Sequence, residues 1–244
     1  MLNRDIYNKP PKENRLVNNG VAEVSEDHSE AAQAILRYEL ETFVCNGQYE
    51  KGLETILDKF LRNLDAGTEQ PGVWISGFYG SGKSHLAKML RTLWTDYQFA
   101  DGATARRLTK LPTGVFEHLK ELSTQGKRHG ALHAAAGKLG AGAGDKVRLA
   151  LLGIVFKSKG LPEQYNQAQF ALWMQREGIL PTVEAELKAA GRSLAQELPH
   201  MYVSSHLAKA LLQARPDLAH TEADARKLLK EQFPQVTDVT SEQM

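Results

Sequence analysis

Hydrophobic residues recur at helical spacing over most of the chain. The clearest row is Leu53, Ile56, Leu57, Phe60, Leu61 and Leu64. Steps of three and four residues place these side chains on one face, which predicts an amphipathic helix that ends at Ala66-Gly67. Similar patterns, with Ser29, Asp145 and Thr221 as N-caps, predict further helices. They cover about residues 29–44, 82–97, 115–122, 145–157, 162–177, 181–190, 204–214 and 221–233.

Only three short segments have the composition of strands. The apolar run 73–76 contains Val, Trp and Ile, which favours a buried strand. Residues 131–135 form a weaker candidate, and residues 21–24 a peripheral one. The pattern therefore predicts an α/β chain that is predominantly helical.

A phosphate-binding motif lies directly after the run 73–76. The segment 77–84 reads GFYGSGKS and fits G-x-x-x-x-G-K-[ST] at every position. It also stands between a predicted strand and a predicted helix, where such a loop belongs. Glycines let successive backbone N–H groups turn toward a phosphate, and the helix N-terminus adds positive charge.

The motif predicts ATP and Mg²⁺ as ligands. Lys83 is the candidate catalytic residue, because its ammonium can reach the β- and γ-phosphates, and the Ser84 hydroxyl is the candidate Mg²⁺ ligand. The predicted nucleotide-binding residues are Gly77, Phe78, Tyr79, Gly80, Ser81, Gly82, Lys83, Ser84 and His85.

The distribution of charge along the chain is typical of a protein whose middle segment, residues 71–160, binds an anion. The net charge of the 244 residues is +1. Residues 71–160, however, contain 14 basic and 5 acidic side chains, whereas residues 1–70 are net −5 and residues 161–244 net −3. Such a segment can bind phosphate, or it can simply be a solvated surface. DNA contact is a further possibility, and the candidate basic residues are Lys127, Arg128, Lys138, Lys146 and Arg148.

Three other features are weaker candidates for chemistry. Residues 140–144 read GAGAG but lack the full G-x-G-x-x-G spacing of a dinucleotide site, so a loop is favoured. His129 and His133 are four apart without a third metal ligand. Cys45, the single cysteine, is expected to be a buried apolar residue rather than a nucleophile.

P-loop NTPases also need a carboxylate that holds Mg²⁺ at the end of a buried strand, and the sequence after the motif shows no such pattern. The apolar run 149–156 ends in Lys157, and Asp238 follows no apolar strand. We therefore expect an incomplete P-loop NTPase core of the AAA+ or ASCE kind, truncated before Walker B. The predicted regions are an N-terminal strand and helical region (1–70), the P-loop-containing start of the NTPase domain (71–160) and a helical insertion (161–244). Slow or no ATP hydrolysis is expected of this chain alone.

The sequence resembles the BrxC/PglY family, the large P-loop ATPases of BREX bacteriophage-defence systems. The resemblance rests on GVWISGFYGSGKSHLAKML at 72–90, LGAGAGDKVRLALLGIVFKSKGLPEQY at 139–165 and RYELETFV at 37–44. It implies an ATP-dependent part in restricting phage DNA, with other BREX components as partners, a homo-oligomer and possible DNA contact. It also implies a Walker B strand in a longer protein, shortly after residue 244.

Two other functions compete with this interpretation. The chain could be a scaffold that docks partner subunits and holds nucleotide as a structural ligand. A small-molecule kinase is the weakest alternative, because 76 residues precede Gly77. The N-terminus has no secretory signal and no apolar run is long enough to cross a bilayer, so a cytoplasmic protein without membrane contact is expected.

Overall fold

The computed structural model describes residues 29–67, 69, 72–139 and 146–240. These residues fall into two compact units, and the boundary lies between Ala136 and Gly137. We call them the first and the second unit. The predicted three-region division at residues 70 and 160 stays a prediction. No helix in the described ranges is both long and apolar enough to span a bilayer.

The described part of the first unit contains five α-helices. They are α1 (Glu30–Thr42), α2 (Gly47–Ala66), α3 (Lys83–Trp94), α4 (Ala105–Leu108) and α5 (Thr113–Arg128). Ser29 caps α1 by accepting a hydrogen bond from the Ala32 amide at 3.3 Å. Gly67 ends α2 in the left-handed conformation. Both ends lie where the sequence predicts them.

Leucine rows from three helices build the core of the first unit. The predicted face of α2 is buried through Leu53, Leu57 and Leu61. It packs with α5, while α3 contacts both α4 and α5. The other fully buried large side chains of this core are Leu40, Met89, Leu93, Leu119 and Leu122. α3 is thereby held as a rigid element behind the loop that precedes it.

The predicted strands are not formed in the described residues. Residues 73–76 and 131–135 are irregular, and the β contact described is an isolated antiparallel bridge between Gln98 and Thr104. A strand needs a neighbouring backbone for its hydrogen bonds, and no described segment pairs with either run. Trp74 is accordingly 90% exposed. The predominance of helix is confirmed, but the α/β prediction is wrong at these two segments. Residues 21–24 lie outside the described residues.

The second unit contains the remaining described helices. The α-helices are α6 (Val147–Ser158), α7 (Tyr165–Arg176), α8 (Leu180–Ala189), α9 (Leu194–Glu197), α10 (Ser205–Ala214) and α11 (Glu222–Gln232), and a 3₁₀ turn (Leu198–His200) follows α9. Helices α8, α10 and α11 pack around a core centred on Phe170 and Leu207. Thr221 and Asp224 form a capping box at the start of α11, as the predicted cap requires.

Buried polar side chains connect the helices of the second unit. Tyr202 donates its hydroxyl to the Phe233 carbonyl at 2.5 Å and accepts from the Asn166 amide at 2.7 Å. Ser204 caps α10 and donates its hydroxyl to Glu197 at 2.6 Å. These bonds satisfy polar groups that would otherwise be costly to bury.

Candidate phosphate-binding site

The segment 77–82 forms a loop that leads directly into α3, whose first helical residue is Lys83. Gly80 and Gly82 have φ values of 78° and 81°, in the left-handed region that favours glycine. The first turn of α3 leaves backbone N–H groups without an intrahelical acceptor, and the helix dipole makes this end positive. The glycine conformations and the helix that follows the loop agree with the motif, whereas the run 73–76 before it does not form the predicted strand.

Side-chain hydroxyls lie close to two glycines of the motif. A Cβ atom at Gly77 would lie 2.8 Å from the Ser81 Oγ, so Ser81 would have to move. A Cβ atom at Gly82 would overlap the hydroxyl of Tyr49, which reaches the loop from α2. A larger residue at either position would displace the Ser81 or the Tyr49 hydroxyl from its present place.

Lys83 turns its side chain back over the loop. Its Nζ donates a hydrogen bond to the Phe78 carbonyl at 2.7 Å and lies 3.4 Å from the Ser81 Oγ. Within the described part of the chain, no carboxylate pairs with this ammonium. Its positive charge is therefore held at the loop by neutral oxygen atoms, and a charged phosphate oxygen would be a stronger acceptor than either.

The loop and α3 are also held by two contacts from other helices. The Tyr49 hydroxyl donates to the Ser81 carbonyl at 2.8 Å. Farther along α3, Lys88 forms an ion pair at 2.5 Å with the buried Glu39 of α1. These contacts fix the first half of α3 relative to α1 and α2.

Arg106 fixes the other end of α3. Its buried guanidinium donates to the carbonyls of Leu93 and Trp94 at the C-terminal end of α3, at 2.8 and 2.9 Å; Leu93 also accepts from the Asp96 amide at 3.3 Å. It also donates to the Leu119 carbonyl and the Ser123 hydroxyl of α5, at 2.8 and 2.7 Å. One side chain thus satisfies the end of α3 and joins it to α5.

The two aromatic residues of the motif point away from the core. Phe78 and Tyr79 are 91% and 97% exposed. Upstream, Val73 and Trp74 border an apolar groove of about 250 Å³ whose other wall comes from Ile56 and Phe60 of α2. Backbone atoms and Lys83, rather than aromatic side chains, make up the inner part of the loop.

His85 packs against the core of the first unit. Its ring meets the ring of Phe43 edge-on, with centroids 5.6 Å apart. Burial lowers the pKa of His85, while Glu39 opposes this shift and Lys88 adds to it. The imidazole is therefore a packing group that prefers to be neutral, although the backbone of His85 belongs to the first turn of α3.

The weaker sequence candidates occupy different parts of the fold. Cys45 is buried, and burial followed by the charges of Glu50 and Glu54 raises the pKa of its thiol to about 11, which makes it a poor nucleophile. His129 ends α5, whereas His133 lies in an irregular segment, so the two do not share a helix face. No described group of three or more His, Cys, Asp or Glu side chains is arranged to hold a metal ion.

The candidate DNA-contacting residues are divided between the two units. Lys127 and Arg128 end α5 of the first unit, whereas Lys138, Lys146 and Arg148 belong to the second. The glycine-rich run 140–144 and the predicted cap Asp145 lie outside the described residues.

The sequence pattern did not predict the residues that contact the loop and α3 from other parts of the first unit. Their contacts join residues that are 12 to 49 positions apart, so no local motif marks Tyr49, Glu39 or Arg106. A signal was present only for Glu39, which follows Leu36 by three residues and precedes Phe43 by four. It therefore lies on the apolar face of α1, where an acidic side chain needs a partner.

Comparison with known proteins does not identify the chain. No family model matches it. No solved structure matches it. The function is therefore inferred from the loop and from the helices that support it.

Proposed function

We propose that the loop 77–84 binds the phosphates of a nucleoside triphosphate. The observation that carries this proposal is the position of the Lys83 ammonium. Lys83 begins α3, and its Nζ lies 2.7 Å from the carbonyl oxygen of Phe78 in the loop. A terminal phosphate would replace that neutral acceptor with a charged one and would receive backbone N–H groups from the loop and first helical turn.

The residues present fit ATP with Mg²⁺. Gly80 and Gly82 adopt left-handed conformations, and Gly77 and Gly82 carry no side chain where Ser81 and Tyr49 approach the loop. Lys83 would hold the β- and γ-phosphates. Ser84, which is exposed in the first turn of α3, would offer its hydroxyl to Mg²⁺. When bound, Mg²⁺ neutralises charge that develops on the phosphates.

We further propose that this nucleotide site belongs to an ATPase of BREX phage defence. The support is the sequence resemblance across the P-loop block, residues 139–165 and residues 37–44. The proposal includes restriction of phage DNA together with other BREX components, assembly into a homo-oligomer and a cytoplasmic location. Direct DNA contact through the basic middle of the sequence is part of the same proposal.

Nucleotide titration of the purified chain tests the proposed site. A fluorescent ATP analogue with Mg²⁺ should bind the wild type, and Lys83→Ala should weaken binding by about a hundredfold, or about 2.7 kcal/mol. Lys51→Ala is the matched control, because Lys51 is an exposed lysine of α2 in the same unit. Equal affinity of wild type and Lys83→Ala would remove the loop from the proposed role.

A phage challenge separates an ATPase from a scaffold. Cells that carry the complete defence system with Lys83→Ala should lose protection if nucleotide turnover drives restriction. Intact protection by that variant, at normal protein abundance, would favour the scaffold that holds nucleotide as a structural ligand.

A further inference from the structure

A row of exposed aliphatic side chains follows one face of α6 in the second unit. Val147, Leu151 and Val155 are spaced by four residues and are 42%, 42% and 45% exposed. At about 100° per residue, this spacing places all three within one narrow stripe. We call Val147, Leu151 and Val155 the α6 stripe.

The opposite face of α6 already has its partner. Leu152 and Phe156 are buried in a cluster with Ala168 of α7 and with Val239. The helix is thus apolar on both sides, whereas a surface helix with one partner normally turns a polar face outward. An exposed apolar face on a helix that is otherwise well packed indicates a second contact.

Basic side chains lie near both ends of the α6 stripe. Lys146 and Arg148 flank Val147, about 100° to either side of it, and Lys159 stands at the next four-residue step after Val155. Lys157 lies in the same last turn. Residues 146–162 contain no acidic residue. Arg148 and Lys157 are partly neutralised by Asp238 at 3.6 Å and Glu163 at 2.5 Å, respectively.

The helix dipole does not account for positive charge at this end of α6, although Arg148 also donates a hydrogen bond to the Val239 carbonyl at 3.1 Å. Lys146 and Arg148 lie at the N-terminus of α6, the end at which the helix dipole disfavours cations. Positive charge beside an apolar row at that end instead suits a ligand that brings negative charge.

We propose that the α6 stripe docks an acidic amphipathic helix of a partner protein. The partner's apolar residues, at steps of three and four, would pack along Val147, Leu151 and Val155. Its flanking carboxylates would face Lys146, Arg148 and Lys159, as charged positions do beside a coiled-coil seam. The α6 stripe belongs to the second unit, whereas the proposed nucleotide site belongs to the first.

A membrane surface fits these observations less well. The stripe has no aromatic residue, whereas helices that lie in a lipid interface commonly carry Trp or Phe. A membrane would also contact a larger part of the second unit than one helix. Residues 161–244 have a net charge of −3, which an anionic lipid surface would repel. A single helix contacts a narrow strip, which matches the local charge.

Peptide binding to the full chain tests this proposal. The probe is a fluorescent helix-forming peptide of about 18 residues with leucines along one face and glutamates beside them. Its twin carries lysine in place of glutamate. By fluorescence anisotropy, the wild type should bind the glutamate peptide about tenfold more tightly than the lysine twin, and added salt should reduce the difference.

Three variants locate the binding. The double variant Leu151→Gln, Val155→Gln should bind the glutamate peptide about tenfold more weakly than the wild type, because apolar contact is lost. Val203→Gln is the matched control, since Val203 is a 68% exposed apolar residue of the same unit outside α6. Lys146→Glu with Lys159→Glu changes only exposed side chains and should reverse the preference between the two peptides.

Several results would overturn the proposal. Equal binding of both peptides by the wild type would do so, as would unchanged binding by the stripe variant. If the stripe variant loses its helical circular dichroism, the charge-reversed variant decides, and an unreversed preference then contradicts the proposal. Binding to phosphatidylserine vesicles without binding to the glutamate peptide would assign the surface to lipid and would also overturn it.

Discussion

The two units use buried polar side chains for different purposes. In the first unit, Arg106 and the Glu39–Lys88 ion pair hold α3, the helix that begins at the phosphate-binding loop. In the second unit, Tyr202 and Asn166 connect helices to one another rather than to a glycine loop. Polar burial thus supports a candidate site in the first unit, whereas in the second it completes a helical fold.

The exposed apolar residues differ in the same way. The first unit exposes Phe78 and Tyr79 on a loop between glycines. The second exposes a regular row on α6, in which each residue has a helical neighbour one turn away. A loop of this kind can close on a small ligand, whereas a straight row suits an extended helical partner.

The largest expected effect comes from Arg106→Met. This change removes the hydrogen bonds that a charged guanidinium donates to the carbonyls of Leu93, Trp94 and Leu119, and we expect a loss of about 3 kcal/mol in unfolding free energy. Nucleotide affinity should fall with it. Urea unfolding followed by circular dichroism measures the loss. Arg107→Met is the control, because Arg107 is exposed and should shift the unfolding free energy by less than about 0.5 kcal/mol.

Tyr202→Phe tests the second unit with a smaller change. The variant removes a hydroxyl that bonds Asn166 and the Phe233 carbonyl, so we expect a loss of about 1.5 kcal/mol in unfolding free energy. Nucleotide binding should be unchanged. Tyr165→Phe, in the same unit, provides the control. A parallel loss of nucleotide affinity in Tyr202→Phe would break the distinction between the units.

Tyr49→Phe separates support of the loop from stability of the unit. The ring remains while the hydrogen bond to the Ser81 carbonyl is lost, which should cost about 0.5–1 kcal/mol at this exposed position. Affinity for the ATP analogue should fall by a similar free energy, about threefold. The measurement is the same fluorescence titration, and an unchanged affinity would show that Tyr49 does not position the loop.

The smallest expected effect concerns the pH dependence of His85. Because burial lowers the pKa of His85 in the folded chain, the unfolded chain binds its proton more readily. The stability that the neutral ring contributes is present above its ordinary pKa and is lost as the pH falls through the lowered value. The free energy of unfolding should be measured at pH 7.5 and at pH 5, about the range in which histidine titrates. It should differ less between these two pH values for His85→Phe than for the wild type. An equal difference would contradict this role.

Local features of the sequence predicted the helices and the loop well. Ser29 and Thr221 cap helices where expected, and the apolar row of α2 is buried. These features depend on neighbours within one or two turns. The run 73–76 failed as a strand because β-structure needs a second segment, and none of the described residues supplies one.

The support of the site could not be predicted for a similar reason. Tyr49 reaches Ser81 across 32 residues and Arg106 reaches Leu93 across 13, so their partners depend on how the helices pack. The four-residue helices α4 and α9 are also too short to show an apolar period. The motif identified the loop, whereas tertiary packing determined what holds it.

The most direct test follows the backbone amides of the loop during titration with Mg²⁺ and ATP. Two-dimensional ¹H–¹⁵N NMR reports each amide separately, so binding can be located without a substitution. If the loop binds phosphate, the largest shifts should occur at Gly80, Gly82, Lys83 and Ser84, and amides of the second unit should stay in place. Unchanged positions for these four amides at saturating nucleotide would contradict the account.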